Sequence, residues 1–184
     1  MQARSSPGSL ELHGRRLTLR PVRDEDVTGL FDILAQPSVA SRWSEPDPEF
    51  DRALLLGDEA DEAEHITTWA VCFGGKLVGW IAGWEKLDRD YRHAGVDLFL
   101  DSAHQGAGFG PEAIRLVCRY LFEQRAHHRV TIDPAADNLR AIRAYEKVGF
   151  KRVGVLRRYE RGSDGRFHDG MLLDLLPEDL THEA

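Results

Sequence analysis

The run Gly95-Val96-Asp97-Leu98-Phe99-Leu100, followed after Asp101-Ser102-Ala103-His104 by Gln105-Gly106-Ala107-Gly108-Phe109-Gly110-Pro111, decides the fold. Ala94 to Leu100 reads as a strand, the glycines as a turn, and Pro111 as the opening of a helix, where a missing N–H is no loss. Ile114, Val117, Cys118 and Leu121 share one face of that helix. Strand, glycine loop and helix in this order aim backbone N–H groups at one point, at the positive end of the helix dipole. A diphosphate suits such a place. The dinucleotide fingerprint GxGxxG would need glycine where Pro111 stands, and the lysine of a GxxxxGK[ST] loop is missing, so nicotinamide and nucleoside triphosphate readings weaken.

Downstream, Arg129 to Asp133 reads as a further strand running into Pro134, and a second helix is expected from about Asn138 to Val148. Asn138 suits the N-cap, Gly149 suits the stop, and Ala141, Ala144, Tyr145 and Val148 share a face. Val153 to Glu160 and Gly170 to Leu176 close the chain as a hairpin about Ser163-Asp164-Gly165. Upstream, Trp69, Val71 and Phe73 alternate into the turn Gly74-Gly75, and Leu77 to Trp84 returns as the partner strand. Leu17, Leu19 and Arg20-Pro21 read as a first strand. Asp24, Glu25 and Asp26 then start a helix with Val27, Leu30, Phe31 and Leu34 on one face. Arg42 to Phe50 is irregular and could wall a cleft, with a short helix expected from Asp51. The fold class is α+β, a central mixed, mostly antiparallel sheet flanked by helices.

The 184 residues suit a single domain over 10–184 behind a flexible leader at 1–9. Apolar residues at 42% and charged residues at 30% match an ordinary globular chain. Lysine and arginine total 24 against 31 acidic residues, a net charge of −7 that disfavours nucleic acid and anionic membranes and suits a cationic partner. The acidic run Asp58 to Glu64 reads as a solvated face. Cys72 and Cys118 sit among apolar residues without metal-ligand or disulfide spacing, and are expected to be reduced and buried. No run is long and apolar enough for a membrane span or a secretory signal, so a cytoplasmic location is expected. His127 and His128 match no ligand spacing and are expected at the surface.

The pattern Q-x-x-G-x-G after a strand, then N-L-R-A-I-R-A-Y-E-K-V-G-F from Asn138 to Phe150, resembles the acetyl-CoA-binding core of the GNAT superfamily of N-acetyltransferases. The resemblance spans Arg16 to Leu176. It implies that the strands Ala94 to Leu100 and Arg129 to Asp133 run parallel and splay apart to hold acetyl-CoA. Backbone groups of Leu98, Phe99 and Leu100 would hold the pantetheine arm, and one N–H would stabilise the oxyanion. Gln105, Gly106, Gly108 and Gly110 would cradle the pyrophosphate, Asn138 would bond the pantetheine side, and Tyr145 would protonate the departing thiolate. Direct attack by a neutral amine calls for no metal.

Asp97 stands mid-strand, where aspartate is a poor strand former and an unpaired buried charge is costly, so it should face a polar cleft or a fixed partner. Asp133 ends the neighbouring strand, and the implied splay would bring both carboxylates to the thioester end, where one would accept the amine's proton directly or through water. Within the superfamily, Gly95-Val96-Asp97, Ile132-Asp133-Pro134 and the Trp43-Ser44-Glu45 turn look most like the aminoglycoside 6'-N-acetyltransferases. That likeness adds Trp43 and Glu45 to Asp97 and Asp133 as acceptor-binding residues, although Trp43 could equally plug the core. The C-terminal hairpin, Leu156-Arg157-Arg158 to Arg166-Phe167-His168-Asp169, resembles instead acetyltransferases of protein N-termini and polyamines. A non-catalytic acyl-CoA sensor would need neither Tyr145 nor the carboxylate pair. The oligomeric state, a homodimer included, is open at this stage.

Overall fold

A computed structural model describes residues 10–43, 48–57, 64–162 and 164–181. The expected leader at 1–9, Glu45, the acidic run 58–63 and Ser163 lie outside the described residues.

Leu17 and Leu19 alternate into the core, and the strand they make ends at a proline that cannot extend the ladder. This strand, β2 (Leu17–Pro21), follows a two-residue strand, β1 (Leu12–His13), that the sequence reading missed. A single turn over Asp24–Asp26 leads into α1 (Val27–Leu34), whose Val27, Leu30, Ile33 and Leu34 are buried while Phe31 is half-buried. Helix α2 (Pro37–Ala40) comes next. Helix α3 (Pro48–Leu56) starts three residues before the expected Asp51, because proline is well suited to a first helical position. Strands β3 (Glu64–Phe73) and β4 (Lys76–Lys86) form the expected hairpin about Gly74 and Gly75.

Strand β5 (His93–Leu100) leads through the glycine loop into α4 (Phe109–Glu123), which begins two residues before Pro111. Strand β6 (Val130–Ile132) and α5 (Leu139–Glu146) follow, and β7 (Lys151–Arg161) with β8 (Phe167–Leu175) form the closing hairpin. The described strands make one sheet in the order β1-β2-β3-β4-β5-β6-β8-β7, antiparallel at every join except β5 with β6. Trp80, Ile81 and Ala82 are buried consecutively in β4, so helices must cover both faces there. One face packs on α4 through Ile114, Val117 and Leu121, and the other on α1 through Leu30 and Leu34. Cys72 and Cys118 are free and buried in this core, as expected. Among the described residues, no helix is long and apolar enough to cross a membrane.

His128 is exposed, but His127 is not at the surface. It is 3% exposed, with Nε2 at 2.7 Å from Glu85 Oε2, and Arg125 Nε lies 3.0 Å from the same carboxylate. The partner stands 42 residues away in the chain, so no local pattern could reveal it.

A cleft where two parallel strands part

Pairing between β5 and β6 is limited to Ala94 with Val130 and Gly95 with Thr131. Beyond Gly95, β5 continues for five residues with no residue of β6 opposite, while the other chain turns away through Asp133 and Pro134. Ala94 N–H donates across this join to Arg129 O, and Asp101 N–H donates the other way, to Val78 O on the β4 side. Alternation along the strand therefore turns the amides of Val96, Leu98 and Leu100 into the opening and that of Phe99 toward β4. Phe99 serves instead through its ring, stacked on Trp80 with centroids 5.5 Å apart. Val96, to which the sequence pattern gave no donor-binding role, joins Leu98 as a source of free backbone groups.

The opening is a cavity of about 670 Å³. Leu98, Leu100, Ile132, Pro134, Ala141 and Ala144 give it apolar walls, and Gln105, Gly106, Gly108 and Gly110 close one end. Gly108 caps α4 with φ 84°, a conformation that side chains other than glycine's adopt at a cost. The loop is braced from outside. Arg16 Nη1 donates to Ala107 O at 2.8 Å, its guanidinium lies over the Phe109 ring, and its Nε donates to the buried Glu112 carboxylate at 2.9 Å. Glu112 also accepts from the backbone N–H of Arg16 and Leu17, which locks the first turn of α4 to β2.

Gln105 is engaged within the loop: its Nε2 donates to Leu100 O at 2.9 Å and its Oε1 accepts from Arg140 at 2.7 Å. Asn138 Oδ1 accepts from Ala141 N–H at 3.2 Å as the cap of α5, and the residue also lines the cavity. Arg140, Arg143 and Lys147 line it as well. Their spacing of three and four places them along one side of α5, a signal that was present in the sequence and not used. Free backbone donors at a helix start, a cationic wall and an apolar channel fit a molecule with phosphates at one end and an apolar arm at the other.

At the far end three titratable groups meet. Gly95 lets the Trp84 indole lie across the strand, since a Cβ there would sit 2.0 Å from the ring. Burial, reinforced by neighbouring Asp133 and only partly offset by Trp84, pushes the Asp97 carboxyl up to about 7. Burial also raises Asp133, whose Oδ2 accepts the Tyr159 hydroxyl proton at 3.0 Å. Tyr145 is held neutral by burial and by both carboxylates. So the structure brings Asp97, Asp133 and Tyr145 to one cavity, with Tyr159 and Glu160 as unforeseen neighbours. Trp43 lines the same cavity and also packs edge-on against Trp80 and Phe99, at 5.9 and 5.4 Å, so it is core plug and cleft wall at once. Among the described residues no group of three or more His, Cys, Asp or Glu could hold a metal ion.

Comparison with known proteins places the chain in a family and beside similar folds. The acetyltransferase (GNAT) domain family matches residues 16–151. Aminoglycoside N(6')-acetyltransferase type 1 of Klebsiella pneumoniae is 27% identical over 157 residues, 76% of each chain. The solved aminoglycoside acetyltransferase AAC(6')-Ib, in complex with coenzyme A and kanamycin, superposes with a TM-score of 0.73 at 24% identity, covering 89% of this chain and 96% of the other. Spermidine N-acetyltransferase from Vibrio cholerae, in complex with coenzyme A and spermine, gives the same TM-score at 24% identity, covering 89% and 97%.

Proposed function

The chain belongs to the GNAT acetyltransferase family, an acetyl-CoA-dependent family of N-acetyltransferases, and from that premise we propose that its acceptor is the 6'-amine of an aminoglycoside. The observation that carries the reading is the juxtaposition of Asp97 and Asp133 with Tyr145 where the strands part.

Acetyl-CoA would be held in the cleft by the amides at the start of α4 and by Arg140, Arg143 and Lys147 at its phosphates. Val96 and Leu98 would hold the pantetheine arm. The neutral amine attacks the thioester carbonyl carbon, and a backbone N–H of β5 stabilises the charge that develops on oxygen. Asp97 takes the proton that the new ammonium loses. The C–S bond breaks as the amide forms, and Tyr145 O–H protonates the leaving thiolate. Two carboxylates beside the reacting amine, in a protein of net charge −7, attract a polycation and reject an anion.

Release of free thiol tests the acceptor. Kanamycin and tobramycin should react, while an analogue with a hydroxyl in place of the 6'-amine should not. Release with spermidine alone would assign a polyamine acetyltransferase, and release with an alanine-starting peptide alone a protein-modifying one. Acetyl-CoA binding without release from any amine would leave an acyl-CoA sensor.

A further inference from the structure

Beside the donor cleft lies a second chamber of about 780 Å³, built mainly by the β7–β8 hairpin and the loop before α5. Arg42, Trp43, Ala135 and Glu160 line both chambers and so form the partition between them. Trp43 is wedged against Trp80 and Phe99, and Ala135 is bridged to Gly170, so neither can yield easily. Arg42 can. Its Nη1 lies 2.5 Å from Asp137 Oδ1 in an ion pair whose side chains are 40% and 79% exposed. Exposed pairs of this kind contribute little and exchange readily.

The first chamber must take the thioester and the reacting amine, so the body of a larger acceptor extends into the second. Three other carboxylates line it: Glu160 stands at the partition beside Asp133, and the remaining two are satisfied by their own hairpin. Asp164 accepts from His168 Nε2 and Arg166 N–H, and Asp169 accepts from Arg158 N–H. Asp137 is held by Arg42, a half-exposed cation on a neighbouring segment. A guanidinium on an exposed carboxylate occupies the place that an ammonium of the acceptor would fill.

Resting on the reading of a cationic acceptor, we propose that Arg42 is a specificity-determining residue. It holds Asp137 in the free protein, and a second cationic group on the acceptor takes Asp137 from it. An acceptor with one cation, spent at Asp97 and Asp133, has nothing with which to make the exchange.

Arg42→Gln and Asp137→Asn break the same ion pair, so a merely structural tie predicts the same effect from both. The exchange predicts opposite effects. Kanamycin and spermidine, titrated by calorimetry into protein saturated with CoA, should bind about two- to fivefold tighter in Arg42→Gln and weaker by a similar factor in Asp137→Asn. In the double variant the gain from Arg42→Gln should vanish, because the carboxylate it releases is gone. A general change in surface charge would instead give additive effects, and would tighten 6-amino-6-deoxyglucose, a monoamine, as well. Additive effects, shifts of one sign, no shift, or no binding of either polycation by the wild type would overturn the proposal. The titration reads binding rather than turnover, so a failure of the acetyl-transfer reading shows separately in the thiol assay.

Discussion

Tyr145 offers one hydroxyl and one ring, and the two have separable duties. The ring packs against the core beside Phe150, while the hydroxyl is kept protonated by burial and by two nearby carboxylates. A phenol so held can donate a proton but does not exist as phenolate at neutral pH. Tyr145→Phe should therefore lower kcat by about 10²- to 10⁴-fold, the span of general acids, with CoA affinity by calorimetry little changed. Unaltered kcat with chemistry rate-limiting would return the residue to a packing role. Asp97 works in the opposite sense, since it accepts a proton as the carboxylate and that form is lost as pH falls through about 7. The profile of kcat/KM against pH should show an acid limb near 7, belonging jointly to the Asp97–Asp133 pair, and Asp97→Asn should abolish that limb with most of the turnover. Both residues were legible in the sequence for different reasons. Tyr145 belongs to a long family motif, whereas Asp97 is conspicuous because a strand interior disfavours it. Tyr159 was not legible: it reaches Asp133 from a β7 segment whose register shifts between Leu156 and Glu160, and no local rule foretells such an irregularity.

The glycine loop works as an element only because α4 is anchored at its first turn. Glu112 binds two backbone N–H groups and the guanidinium of Arg16, and Arg16 in turn holds Ala107. The loop's amides are thereby aimed before any ligand arrives, which lowers the entropy lost on binding. Gly108→Val should disturb this twice, through the positive φ at that residue and through a side chain projecting toward Arg16, 3.2 Å from its Cβ. Its expected signature is CoA binding weakened at least tenfold by calorimetry, with the far-ultraviolet circular dichroism retained. Wild-type affinity in this variant would remove the loop from the donor site. Strand, loop and helix could be read in order because hydrophobic period and glycine punctuation are local signals. The brace from Arg16 could not, since its partners lie more than ninety positions along the chain. The same limit hid His127, whose burial depends on Glu85, and it let the splay of β5 and β6 enter only through the family resemblance.

At the scale of the whole molecule, the cleft sets stability against activity. Two buried acids are stabilised where they stand: Asp26 and Glu112 are held below the usual carboxylate range by arginine and backbone donors. Asp97 is the reverse, raised by burial and by another acid, so its ionised form weakens the fold that it serves. The sign of its pH dependence follows. Unfolded, the group ionises near its ordinary value of 3.8; folded, it does so near 7, so between these values the native state binds the additional proton. Its contribution to stability therefore rises as pH falls through 7 toward 4, at most by about 1.4 kcal/mol per pH unit, and is least favourable above 7. His127 opposes this trend: burial lowers its pKa from 6.5, so acidification below that value favours the unfolded, protonated imidazole. A wild-type melting curve alone would mix these with the other shifted acids, Asp26, Glu112, Asp133 and Glu160. Asp97→Asn separates them, because the amide keeps the size and polarity of the protonated acid but cannot ionise. The variant should melt above wild type at pH 8, the margin should shrink steadily as the buffer is taken from 7 to 5, and acetyl transfer should be largely lost throughout. A variant less stable than wild type at pH 8, or a margin that does not change with pH, would show that Asp97 is held by its surroundings as comfortably as Glu112. A role as a poised proton acceptor in a destabilising site would then fall.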